Sequence, residues 1–165
     1  MRMRCARLSL PNLRKSQNVH NMLGDVSVYR KDRTIYTYDC QAFPSRDKAP
    51  APTCAGHHTL RSGGSVHGDT PEIVERVLPL LQRHRVAAYI AGHDHDLQHI
   101  RTDGLDYLCC GAGSQVRPVK AVTGTRYFIP RSGFAHVRLS GGRMTAEFRD
   151  YTGATLYASA LGERA

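Results

Sequence analysis

An α/β domain is what the sequence predicts, and three observations carry the prediction. An amphipathic helix runs from Pro71 to about Arg85. An unbroken apolar run, Val86 to Ala91, follows it and has the length of a buried strand. Two alternating segments, Phe134–Leu139 and Met144–Arg149, flank Ser140-Gly-Gly and predict a hairpin near the end of the chain. A helix, a buried strand and an antiparallel meander together indicate an α/β domain.

Taken in chain order, residues 1–55 show neither a helical nor a strand period for long. Val26–Tyr29 and Thr34–Tyr38 are short strand candidates, and the run from Phe43 holds three prolines in ten residues, a loop or linker signal. The same segment carries most of the charge. Residues 1–50 hold ten Lys and Arg against four Asp and Glu, while the whole chain has 23 against 14, a net +9. Residues 1–55 are therefore expected to be a poorly ordered or unrelated basic segment, and 56–165 a domain. A basic arm of this kind also raises a binding module for nucleic acid through residues 1–50.

The helix start is read at Asp69-Thr-Pro-Glu, with Asp69 capping, proline in the first turn and an acid three positions on. Ile73, Val74, Val77, Leu78 and Leu81 share one face, and Pro79 is expected to bend the helix. Leu105–Cys110 reads as a second buried strand, and Gly153 as a turn before Thr155–Tyr157. No apolar strand is expected before Gly56, because Ala49–Cys54 contains two prolines.

No apolar stretch approaches the roughly 18–20 residues of a membrane span. The basic start has no apolar run behind it, so a secretory signal is not expected. Five cysteines, at 5, 40, 54, 109 and 110, lack CxxC spacing and predict neither a zinc ribbon nor a disulfide framework. The compartment is left open.

Histidine carries the chemistry. Seven of the nine histidines lie between His57 and His99, which points to metal or acid–base chemistry. Gly92-His93-Asp94-His95-Asp96 directly follows the buried strand, where α/β proteins hold ligands. In extended backbone two histidines at i and i+2 share a face. Gly56-His57-His58 and His67 add imidazoles from an earlier loop.

Ala55-Gly-His57-His58, His67-Gly68, the run Ala88–His99 with its GHDH-Leu-Gln core, Gly111-Ala-Gly and Ser132–Val137 occur in order. Together they resemble the C-terminal half of a calcineurin-like metallophosphoesterase, closest to the purple, or tartrate-resistant, acid phosphatase branch. The resemblance covers roughly residues 55–160. It implies a four-layer α/β/β/α sandwich, of which this chain is the C-terminal half, and hydrolysis of phosphate monoesters at a two-metal centre of iron with iron, zinc or manganese. It further implies that His57 and His93 bind the divalent metal, that His95 binds the other, and that His67 contacts the substrate phosphate or leaving group as the catalytic histidine. His58 stands where this branch often has an aromatic residue and inherits no role. Two cations about 3.5–4 Å apart neutralise a phosphate ester and lower the pKa of a bridging water.

The family's acidic motifs, D-x-G or D-x-x, GDxxY and GNHD, are not present in sound form. In Gly24-Asp25-Val-Ser-Val-Tyr29 the tyrosine comes one position too late, and the run lies too near His57. The sequence therefore predicts a truncated phosphoesterase with impaired activity. Its alternatives are an inactive metal-binding fragment, holding a single zinc or none, and the basic binding module.

Overall fold

A computed structural model describes residues 26–29, 35–43, 51–140 and 143–162. The expected basic segment 1–55 falls mostly outside these residues. Ten strands and one helix follow in the order β1 (Val26–Tyr29), β2 (Ile35–Phe43), β3 (Ala51–Gly56), α1 (Pro71–Arg83), β4 (Ala88–Ala91), β5 (Leu97–Thr102), β6 (Leu105–Cys110), β7 (Thr125–Ile129), β8 (Gly133–Ser140), β9 (Arg143–Asp150) and β10 (Thr155–Leu161). They form a seven-stranded mixed sheet of order β1-β2-β3-β4-β6-β5-β7 and an antiparallel three-stranded sheet of order β10-β9-β8. The fold is mixed α/β.

Alternation along the central strands builds two cores. Tyr89 and Ala91 of β4 join Tyr107 of β6 and the buried face of α1, Ile73, Val77, Leu78 and Leu81. Ala88 of β4 and Leu108 of β6 point the other way, onto Met144, Ala146 and Phe148 of β9. Among the described residues the layers are therefore helix, sheet, sheet. Each fully buried aliphatic side chain in these clusters stabilises the fold by about 1.5–3 kcal/mol.

The helix departs from expectation at both ends. Its N-cap is Thr70, which makes no side-chain cap bond. Asp69 instead accepts from the Ser62 amide (2.8 Å) and from Arg61 (3.0 Å), tying the preceding loop. The helix stops at Arg83 because Arg85 turns left-handed (φ 53°). Arg85 N–H then donates to Gln82 O (3.0 Å) and Val86 N–H to Leu81 O (2.9 Å), a Schellman closure with arginine where glycine is usual. Pro79 is on the exposed side of the helix.

A strand does precede Gly56. β3 lies inside the sheet, antiparallel to β2 and parallel to β4. Pro52 is tolerated near its start because its carbonyl, not a missing N–H, serves the chain beside it, accepting from Ala87 N (2.8 Å). Cys54 in β3 is disulfide-bonded, so an odd cysteine count did not exclude a single bridge. Cys109 and Cys110 are free.

Candidate metal centre

Parallel pairing of β3 with β4 sets Gly56 opposite Ala91, so both strands end side by side. The next residues carry the imidazoles. Gly92 N–H donates to His57 O (3.1 Å), extending the contact one step past the strands. Residues 92–96 then form a loop at the C-terminal end of β4, as the change of period at Val86 predicts.

His93 has φ 64° and is bridged by the Asp94 N–H to Gly92 O bond (2.8 Å). That i to i+2 closure makes it the centre of a γ-turn, a strained position for a side-chain-bearing residue. The turn directs the ring at its neighbours. His93 Nδ1 lies 3.2 Å from His57 Nε2. The His93 ring sits 4.3 Å from that of His58 and 4.0 Å from that of His67, centroid to centroid. Donor nitrogens of His57, His58 and His93 all fall within 4.8 Å of one another.

The predicted residues are thus distributed unequally. His57 and His93 meet, and the His67 ring lies tilted against that of His93. His67 Nε2 lies 3.2 Å from the Arg117 guanidinium. His95 is outside the 4.8 Å group, and its Nδ1 is buried without a hydrogen-bond partner. Sequence reasoning gave His58 no role and missed Arg117. The adjacent His57-His58 pair was a signal for the first; nothing marked Arg117, fifty positions from His67.

The carboxylates between the histidines point into the protein. Asp94 is 1% exposed and takes the Ser62 hydroxyl and the Gly68 amide. Asp96 is fully buried and accepts from Gln98 Nε2 (2.6 Å), while Gln98 Oε1 accepts from Gly63 N (2.7 Å). Burial, added to by the nearby Asp94, pushes the Asp96 carboxyl up to about 6 against the Gln98 bond. The single Cys109 thiol hydrogen is shared between Gly92 O and Asp94 O, each 3.3 Å from Sγ. His93 itself is lowered from the usual imidazole value, first by desolvation and then by the fields of His67 and His57. A neutral imidazole is the form that accepts a cation.

No protein-family model matches the sequence. Curated proteins do. Tartrate-resistant acid phosphatase type 5 of Sus scrofa is 34% identical over 122 residues, 67% of this chain and 36% of its own. The Homo sapiens protein of that name is 33% identical over 124 residues, 67% of this chain and 37% of its own. Purple acid phosphatase 17 of Arabidopsis thaliana is 31% identical over 157 residues, 80% of this chain and 46% of its own. This chain is homologous to the C-terminal part of the purple acid phosphatases. These are calcineurin-like metallophosphoesterases, and the chain spans less than half the length of these purple acid phosphatase relatives. Among solved structures, "GAP50 the anchor in the inner membrane complex of Plasmodium" superposes with a TM-score of 0.63 at 16% identity, over 79% of this chain and 55% of that one. The fold is therefore shared across sequences far more distant than the purple acid phosphatases.

Proposed function

We propose that this chain is the metal-binding half of a purple acid phosphatase-type phosphoesterase, acting on phosphate monoesters, with activity impaired in the chain as it stands. The observation that carries the reading is the 3.2 Å approach of His93 Nδ1 to His57 Nε2 at the ends of two parallel strands. Two nitrogens on one tetrahedral zinc, each about 2.0–2.1 Å from it, lie about 3.3 Å apart. The donor set thus fits a cation held by His57 and His93. Bound there, a cation supplies Lewis-acid activation of a phosphate ester and of water.

The chain's own residues would do the rest. His67, beside His93 and hydrogen-bonded to Arg117, is the substrate histidine in this reading. With its Nε2 accepting from Arg117, His67 keeps Nδ1–H to donate to a phosphate or leaving-group oxygen, and Arg117 keeps further N–H donors for the phosphate. His95 is the position that faces the second metal in the family pattern. The α/β/β layers of the described residues fit one half of a four-layer sandwich. The domain that carries this site is residues 56–165 extended by β3, with a basic segment before it.

Turnover of an aryl phosphate with added iron, zinc or manganese tests the proposal, compared with a His93→Ala, His95→Ala double variant. The expected result is one bound metal and turnover far below the roughly 1–1,000 per second of ordinary enzymes. Metal-dependent turnover within that range, lost in the double variant, would overturn the impaired reading. Binding of no metal at all would overturn the site.

A further inference from the structure

We infer that His57, His58 and His93 form a mononuclear three-imidazole site for zinc-like ions, and that His58 rather than a carboxylate or His95 completes it. The inference rests on His57 and His93 being metal ligands, as proposed above, and adds the third ligand, the nuclearity and the class of ion.

Geometry comes first. The three rings stand 4.9, 5.1 and 4.3 Å apart in the pairs 57–58, 57–93 and 58–93, and one nitrogen from each lies within 4.8 Å of the others. Each backbone is held independently of any ion. His57 O accepts from Gly92 N, His58 O accepts from the buried Tyr89 hydroxyl at 2.8 Å, and His93 is fixed in its γ-turn. His67, the other ring in contact with His93, has its Nε2 engaged by Arg117.

Among the described residues no second group of three metal-ligating side chains converges. A dinuclear centre needs acidic oxygens to bridge and balance its charge. Asp94 and Asp96, the carboxylates of the 92–96 loop, are buried, with bonds from Ser62 and Gly68 to Asp94 and from Gln98 to Asp96, and neither belongs to the three-imidazole group. The cluster contains histidine alone. Three neutral imidazoles favour zinc, copper, nickel or cobalt over magnesium, manganese and calcium, which prefer oxygen. Three protein ligands also leave a fourth position open.

Cobalt(II) titration of the tag-free chain reads this directly. The expected result is one equivalent per chain with the visible absorption of a four-coordinate ion, displaced by zinc and untouched by magnesium. His58→Phe keeps ring volume and removes the donors. It should weaken binding by at least the roughly 10- to 100-fold that loss of a ligand's supporting partner costs, with an unchanged melting curve confirming the fold. His95→Ala should bind as the parent does. If His95→Ala loses the ion and His58→Phe keeps it, the inference fails while the reading of His57 and His93 stands. A second equivalent of equal affinity overturns the single-ion site. If His57→Ala and His93→Ala both bind as the parent does, the reading beneath it fails as well.

Discussion

His93 and His99 are six residues apart and differ in everything but side chain. His99 is 2% exposed, with Nε2 on Asp106 (2.9 Å) and Nδ1 on the Tyr157 hydroxyl (3.0 Å). Asp106 in turn accepts from Arg101 (2.6 Å) and from the Gly162 amide (2.6 Å), stitching β5 and β6 to the end of β10. His93 is half-buried, and its ring contacts are other imidazoles. One network is closed by carboxylate, phenol and guanidinium; the other gathers imidazole nitrogens within 4.8 Å of one another. Clustered histidine is therefore not one signal but two, and the partner decides which.

The sharpest separation comes from Asp106→Ala. Removing the acceptor takes one partner from each of His99, Arg101 and the Gly162 amide, and breaking a buried ion pair costs about 3–5 kcal/mol. A denaturant melt should show that loss, while metal stoichiometry at the His93 cluster stays at its parent value. Equal damage to both would mean the two regions are one unit.

The same carboxylate gives a pH signature. Burial raises the Asp106 pKa, but bonds from His99, Gly162 and Arg101 outweigh it and hold it below the usual 3.8. A carboxylate lowered on folding stabilises the protein above its unfolded pKa, and that contribution is lost as pH falls through the folded value. Melting temperature should therefore fall with acidification below about pH 4, and Asp106→Ala should flatten that fall.

Gly111→Ala acts on the open side. A Cβ there would stand 2.1 Å from Asp94 O, against backbone that cannot yield cheaply. Crowding of this kind costs about 1–3 kcal/mol, and cobalt affinity should fall with it because the 92–96 loop is pushed from β6. Affinity unchanged at reduced stability would show the loop's position to be unimportant for the cluster.

The smallest effect is the most specific. His93→Gly and His93→Ala both delete the imidazole, but glycine adopts φ 64° without strain. The glycine variant should be more stable than the alanine variant by about 1 kcal/mol. Equal stability would mean the γ-turn stores no strain.

The contrast also explains what the sequence disclosed. α1, β4, β6 and the β8–β9 hairpin were legible because one-sided apolar burial writes a period into the chain. β5 and β7 were not. Gln98 and His99 are buried in β5 yet satisfied by Asp96, Ser62, Asp106 and Tyr157, so polarity hid a core strand. Its turn was marked by Asp103-Gly104, both left-handed, the usual two-residue hairpin signal. β3 was masked by Pro52 and small residues. At the site, His57 and His93 followed from strand ends and family resemblance. His58 and Arg117 depend on how loops fold back, which no local pattern records.

Cys109 turns the loop's stability into a clock. Its thiol is 3% exposed, held behind the 92–96 loop by the carbonyls of Gly92 and Asp94, and burial keeps it protonated well above the usual thiol range. The thiolate is the form that attacks an alkylating reagent, so the closed state is inert and every labelling event records an opening. Peptide-resolved labelling of Cys109 thus times the local fluctuation that exposes the back of the loop. An ion seated on His93 from the front should slow that clock without touching the thiol.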